Sequence, residues 1–205
     1  DSPARRISKT NLEHQSHGAE RTMKPQLGDT ILNRYTLVSS LREEPGIQAW
    51  KANDRVLAKD CQLFIITDRS AFAAIDKLAG RIAATRPDRV IPILKYRMES
   101  DVLLIVMPVD SGQCLTDYMV DTAKPLSYSA IRSIIGECAD VLREVIADTP
   151  SGIVITTDTV RVTTSGVQIA DAPCATMLAD TSATDLRTDG PERYAIRQLA
   201  ALLYT

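Results

Sequence analysis

Ile47-Gln48-Ala49-Trp50-Lys51-Ala52-Asn53-Asp54 and, a few residues on, Cys61-Gln62-Leu63-Phe64-Ile65-Ile66-Thr67 are the stretches on which the fold reading turns. The first follows Glu43-Glu44-Pro45-Gly46, a turn signal, and reads as a strand over Ile47 to Asn53. The second is almost wholly apolar, the pattern of a strand covered on both faces, and is expected at the centre of a sheet. Towards the N-terminus, Tyr35, Leu37 and Leu41 punctuate polar neighbours from Arg34 onward and read as a further strand.

Towards the C-terminus the period changes. Ile75, Leu78, Ala79 and Ile82 share one face at helical spacing, which predicts a helix over Ala71 to Thr85 with Pro87 just past its end. Two more strands are expected at Val90 to Tyr96 and Val102 to Val109, with Met98-Glu99-Ser100-Asp101 as the hairpin turn between them. After Gly112 the pattern is helical. Ile131, Ile134, Ile135, Cys138, Leu142 and Val145 form the longest stripe at 3.6-residue spacing, with Ser127 as N-cap and Gly152 beyond the end. Three short β runs follow, Ile153 to Ile155, Val160 to Val162 and Val167 to Ile169, the last two joined at Ser165-Gly166. A final amphipathic helix begins near Glu192 and is still running where the sequence stops at Thr205, as expected of a fragment of a longer chain.

Composition narrows the function classes. The 205 residues are 44% hydrophobic and 24% charged, enough apolar material for a packed core and unlike a disordered or fibrous chain. With 24 basic against 26 acidic residues, bulk charge draws the chain to neither nucleic acid nor an anionic membrane. Cys61, Cys114, Cys138 and Cys174 lie too far apart for a zinc knuckle or a redox pair and read as buried thiols in a reducing compartment. The longest apolar run, Val102 to Val109, is far short of a membrane span, and no signal peptide opens the chain. A soluble, cytosolic domain is expected, tied to a membrane only through segments of a longer parent. The first 28 residues hold six apolar side chains and no aromatic, and read as a tail. Both histidines, His14 and His17, fall inside it, so residues 29–205 cannot build a Ser-His-Asp or Cys-His triad or a His-ligated metal site.

The order of elements over Gly28 to Thr205 resembles the serine/threonine protein kinase fold: an α+β chain with a five-stranded antiparallel N-lobe carrying one helix, then a mostly helical C-lobe, here truncated near helix F. Ala49-Trp50-Lys51-Ala52-Asn53-Asp54 is similar to the strand-2 pattern V-Y-x-A-x-D, and Arg86-Pro87-Asp88-Arg89-Val90-Ile91-Pro92-Ile93-Leu94 to the H-P-x-I-V-x-V-L segment. Leu103 to Val109 is similar to strand 5 running into the hinge, and Leu199 to Tyr204 to helix F. The resemblance implies an N-lobe over 29–110 and a partial C-lobe over 111–205, after a tail over 1–28.

The positions that carry kinase chemistry are degenerate. Phosphoryl transfer needs a phosphate cradle, a charge-neutralising lysine, a metal-holding carboxylate and a positioned base. The glycine-rich loop reads Leu41-Arg42-Glu43-Glu44-Pro45-Gly46, keeping Gly46 alone and placing two carboxylates where a triphosphate would lie. Val56-Leu57-Ala58-Lys59 comes too soon after Ala52 to supply the strand-3 lysine, and Lys59 is expected in a loop; the usual spacing puts Phe64 in the lysine's place. The helix C glutamate falls near Lys77, beside Asp76. The catalytic loop is shortened to Ile155-Thr156-Thr157-Asp158-Thr159, where Asp158 lacks the geometry of a base. D-F-G appears as Asp171-Ala172-Pro173, and Asp171 is expected in a turn or cap.

The kinase pattern without the kinase chemistry resembles a pseudokinase. The shortened catalytic loop, lost motifs and low aromatic content are most similar to the cytoplasmic pseudokinase domain of actinobacterial MviN-type (MurJ-like) lipid II flippases. That resemblance implies no enzyme activity, no cofactor, no metal and no nucleic acid. It implies a regulatory docking scaffold in control of peptidoglycan synthesis, phosphorylated on threonine by a Ser/Thr protein kinase and read by a forkhead-associated domain. Ser8, Thr10 and Thr22, beside basic residues of the tail, are the candidate phosphoacceptors. Two alternatives stand beside it: a nucleotide sensor or residual kinase holding adenine on hinge backbone at Met107 and Val109, and a small α/β interaction domain unrelated to kinases. The last gains if the first five strands do not share one antiparallel sheet.

Overall fold

The computed structural model of the chain describes residues 24–99, 101–121, 125–148, 153–175 and 190–204. Ser8, Thr10, Thr22 and both histidines lie outside these, as does Gly152. The fold is α+β. An antiparallel sheet of six strands comprises β1 (Thr30–Ile31), β2 (Tyr35–Glu44), β3 (Ile47–Asp54), β4 (Lys59–Ile66), β5 (Lys95–Met98) and β6 (Leu103–Pro108), in the order β1-β2-β3-β4-β6-β5. A small sheet joins β7 (Gln113–Cys114), β8 (Val160–Thr163) and β9 (Gly166–Ile169). The helices are α1 (Arg69–Thr85), α2 (Leu115–Asp121), α3 (Tyr128–Asp148) and α4 (Pro191–Leu203).

Strand β4 sits between β3 and β6, as its apolar run requires. Its alternate residues face opposite ways, so both faces are buried. Phe64 and Ile66 pack with Ile47, Ala49, Leu103, Ile105 and the Phe72, Ile75 and Ala79 face of α1. Cys61, Leu63 and Ile65 pack on the other side with Tyr35, Leu37, Trp50, Leu104 and Val106. Trp50 is buried there as a core ring, and its Nε1 donates to Gln48 Oε1 at 3.1 Å. α1 starts two residues ahead of the expected Ala71, because the Asp68 carboxylate caps Ser70 N at 2.9 Å. It ends at Arg86, which adopts the left-handed conformation and donates its N–H to the Ile82 carbonyl. Ser127 caps α3 through Ala130 N at 3.2 Å.

The structure corrects the sequence reading at several points. The large sheet has six strands, not five, because Thr30–Ile31 folds onto Tyr35–Thr36. Residues 24–28, assigned by composition to a tail, are tied to the sheet: Gly28 N donates to the Leu37 carbonyl at 2.9 Å, and Lys24 pairs with Glu43 at 2.7 Å. The strand expected over Val90 to Tyr96 is confined to Lys95–Met98. Pro92 has no N–H to give a ladder, and the apolar residues ahead of it are buried by a different partner: Val90 forms a parallel bridge with Ile169. Ile153 to Ile155 is buried but unpaired as a strand; the Gln198 side chain of α4 serves it instead, accepting from Ile155 N and donating to the Ile153 carbonyl. Lys59 opens β4 rather than lying in a loop, opposite Asp54. α2 lies in the stretch after Gly112 read as helical, although no separate helix was delimited there, and β7 had no counterpart in the sequence reading.

At one end of the large sheet Asp54 joins β3 to the residues flanking β2. Arg34 donates to it through Nε at 2.8 Å and through a second guanidinium nitrogen at 2.6 Å, and Val56 N and Leu57 N donate at 3.0 and 3.3 Å. The Asp54 side chain is 6% exposed. These donors, led by Arg34, hold its carboxyl at about 2, below the usual carboxylate range. A carboxyl lowered by folding stabilises the native state at every pH above its unfolded value near 4, and that contribution is lost as pH falls through about 2. Asp54→Ala is therefore expected to cost about 2 kcal/mol at pH 7, since four donors lose their acceptor. Urea unfolding should show the gap between wild type and variant narrowing from pH 4 down to pH 2; a gap constant with pH would contradict the assignment.

Candidate functional site

Between the large sheet and the small one lies a cavity of about 550 Å³. Leu41, Ala49 and Phe64 form its apolar side, contributed by β2, β3 and β4, while Asp158, Arg161 and Asp171 come from the loops and strands around the small sheet. Asp110, Gly112 and Cys114 line it where the chain passes from β6 into β7. Asp117 on α2, Gln62 on β4, Arg42 on β2 and Gln113 on β7 complete the polar part.

Local constraints place these groups. β7 pairs with β8 in the register Gln113↔Val162 and Cys114↔Arg161, which brings the chain after β6 directly against Arg161. A side chain at Gly112 would put a Cβ 2.7 Å from the Cβ of Arg161, so only glycine permits that approach. The loop before β8 is held by its threonines: Thr156 N donates to Thr159 Oγ1 at 2.9 Å, and that hydroxyl donates to the Val154 carbonyl at 3.0 Å. Asp158 projects from this turn and accepts from Thr116 Oγ1 at 2.9 Å. Asp171 follows β9 with φ 61, and its carbonyl accepts from Cys174 N at 2.6 Å, closing a turn.

One guanidinium organises the polar side. Arg161 Nε donates to Asp110 Oδ2, another nitrogen donates to the Asp158 carbonyl, and the third lies 3.9 Å from Asp171 Oδ2. Asp110 turns its other oxygen to Gln62 Nε2 at 2.9 Å. Burial raises the Asp171 carboxyl above the usual range, with Arg161 opposing the shift and Asp110 adding to it. Among the described residues no group of three or more His, Cys, Asp or Glu side chains is arranged to hold a metal ion.

Of the positions singled out through the kinase resemblance, Phe64, Asp158 and Asp171 meet at this cavity, and Gly46 and Lys77 do not. Gly46 has φ 78 in the β2–β3 turn, and a Cβ there would lie 2.6 Å from that of Asp68. It is required by the turn. Together with Glu43 and Glu44 it lines a separate cavity of about 520 Å³ beside Lys24 and Pro25. The carboxylates expected beside a triphosphate are thus not at the cleft; those that line it are Asp110, Asp117, Asp158 and Asp171. Lys77 is exposed on α1, whose buried face is Phe72, Ile75, Leu78, Ala79 and Ile82. Sequence reasoning missed Asp110, Arg161 and Gln62. Asp110 and Arg161 are 51 residues apart, and a single long-range charge pair leaves no periodic trace.

The cysteines divide in the same way. Cys61, Cys138 and Cys174 are buried, which pushes their thiols up, to about 11 for Cys61, about 12 for Cys138 and well above the ordinary value for Cys174. Cys114 was expected to be buried too, but it is half-exposed at the cavity, with Sγ 3.2 Å from the Thr157 carbonyl. A thiol reagent such as Ellman's added to the native protein is therefore expected to modify Cys114 rapidly and the other three only on unfolding; rapid release of more than one equivalent would contradict this placement. Compared with protein-family models and with curated proteins, the chain matches none.

Proposed function

We propose that the chain is a catalytically inactive, kinase-like domain that serves as a regulatory docking scaffold. The observation that carries this reading is Phe64. By the spacing of the kinase resemblance it stands where phosphoryl transfer needs a lysine, and it is 1% exposed and packs in the apolar core with Ala49, Ile105 and α1. No charge can be delivered to a phosphate from that position.

The topology supports the kinase-like part. Strands β2, β3, β4, β6 and β5 lie side by side in one antiparallel sheet, α1 is inserted between β4 and β5, and the chain then passes through a short connection into α2 and α3. That succession is the one the resemblance implies for an N-lobe, a hinge and the start of a C-lobe. It also counts against an unrelated α/β interaction domain, whose distinguishing expectation was that these strands would not share a sheet. Four carboxylates against two guanidiniums, Arg42 and Arg161, leave the cleft lining with an excess of acidic groups, which weighs against a nucleotide sensor. By resemblance, the partners are a Ser/Thr protein kinase that modifies the chain and a forkhead-associated domain that reads the phosphothreonine, in control of peptidoglycan synthesis within a longer membrane protein. Among the described residues no helix is long and apolar enough to cross a membrane.

Two measurements on the whole chain test this. Millimolar MgATP is expected to leave the thermal midpoint unchanged, whereas a ligand at a hundred times its Kd adds about 2.7 kcal/mol and moves a domain of this size by a few degrees. A magnesium-dependent shift abolished in Asp171→Asn would establish the nucleotide sensor instead. Incubation with a receptor-type bacterial Ser/Thr kinase and ATP, followed by mass spectrometry and capture on a forkhead-associated domain, is expected to yield a phosphothreonine form that is retained; no incorporation at any threonine would overturn the scaffold reading.

A further inference from the structure

Asp110 stands at a junction. It follows β6, accepts from Gln62 of the large sheet on one oxygen and from Arg161 of the small sheet on the other. Arg161 then reaches the Asp158 carbonyl and the Asp171 carboxylate. The side chains of Arg161, Asp110 and Asp171 are 15%, 15% and 12% exposed, so the charges are largely withdrawn from water. In such a setting a pair is costly to break one partner at a time, because the remaining charge is stranded. The planar guanidinium donates to the Asp110 carboxylate and the Asp158 carbonyl at once and keeps its third nitrogen 3.9 Å from Asp171, which an ammonium on a flexible stem would not hold in one geometry.

We propose that Arg161 is a resident cation that clasps the two sheets across the cleft, so that closure is supplied by the chain's own charges and breaking the Arg161–Asp110 contact opens the cleft without unfolding either side. Through Asp110 the clasp connects Gln62 of β4 to the loop carrying Asp158. It rests on this network and the register of β7 with β8, and does not depend on the kinase-like reading.

The Cys114 thiol is a built-in reporter, because Cys114 is the register partner of Arg161 and lines the cavity. The whole chain is compared as wild type, Arg161→Met and Asp110→Asn. Measured are the rate of Cys114 alkylation by iodoacetamide, located by mass spectrometry, and the amide hydrogen exchange of each segment. Each substitution is expected to raise the Cys114 rate about tenfold, with faster exchange in 109–116 and 156–163 and unchanged protection in β3, β4 and α3. The double variant should react no faster than either single one, since both remove the same contact. A Cys114 rate equal to wild type in either folded variant overturns the proposal. So does the simultaneous reaction of all four cysteines in both variants, which would make the contact a requirement of the fold and not a clasp within it. Where Arg161→Met alone unfolds, Asp110→Asn, which keeps the shape and removes the charge, decides by the same Cys114 rate.

Discussion

Everything on the small-sheet side of the molecule depends on one short piece of parallel pairing. Leaving α1, the chain must end a helix, descend to the small sheet and return to start β5. Arg86 and Arg89, both with positive φ, make the two bends. Between them and Pro92 the backbone bridges to β9: Ile169 N donates to the Arg89 carbonyl at 2.7 Å, and Ile91 N donates to the Ile169 carbonyl at 2.9 Å. Side chains fasten the same place. Glu137 of α3 accepts from Arg89 at 2.5 Å and from Val167 N at 2.7 Å, and its other oxygen accepts from Ser133 Oγ at 3.1 Å. Glu144, two turns further along α3, accepts from Asp88 N at 3.1 Å. A carboxylate with this many donors fixes both the loop and the hairpin on a single helix.

Apolar packing makes the join continuous. α1 buries Phe72, Ile75 and Ala79 against the large sheet, while its Leu78 and Ile82, with Val90 from the bridging loop, enter the core that contains Leu115, Ile134, Cys138, Val141 and Leu142. One helix thus belongs to two cores. From the other direction, Ala170 and Cys174, just past β9, pack with Phe64 and Phe72. The cleft borders this seam and shares Phe64 with it, and the Asp110 and Arg161 contact lies in its polar lining.

Legibility in the sequence followed the range of the interaction. Strand β4 announced itself because burial on both faces leaves Gln62 the one polar residue between Cys61 and Ile66, and α3 because its stripe from Ile131 to Val145 repeats over about four turns. Ser127 was readable as a cap since capping is local. The run from Val90 to Leu94 looked like a strand because it is apolar, yet its burial comes from β9, far along the chain, and composition does not say which partner covers a residue. The segment Gly112 to Asp121 was read only as the start of a helical region, too short for β7 and α2 to be told apart by period. At the candidate site, Phe64, Asp158 and Asp171 were identifiable by counting from neighbouring patterns. Asp110 and Arg161 were not, since nothing near either one in the sequence distinguishes it from other surface charges. Glu43 and Glu44 were misplaced because a hairpin's register, not its composition, decides which cavity its turn faces.

Electrostatics decides what the cleft can accept. Four carboxylates and two guanidiniums, Arg42 and Arg161, line it, and two of the carboxylates, Asp110 and Asp171, are largely shielded beside Arg161. The raised carboxyl of Asp171 records that Arg161 does not fully offset its burial. An incoming phosphate would have to displace Asp110 from Arg161 while facing the remaining carboxylates, and would leave Gln62 and Asp110 without the arrangement that now satisfies both. The apolar side offers no compensating charge, since its largest member is Phe64. Phe64 and the clasp of Arg161 on Asp110 therefore act in the same direction: the first puts an apolar ring on one wall of the cavity, and the second engages one of its two lining cations with a carboxylate of the chain itself.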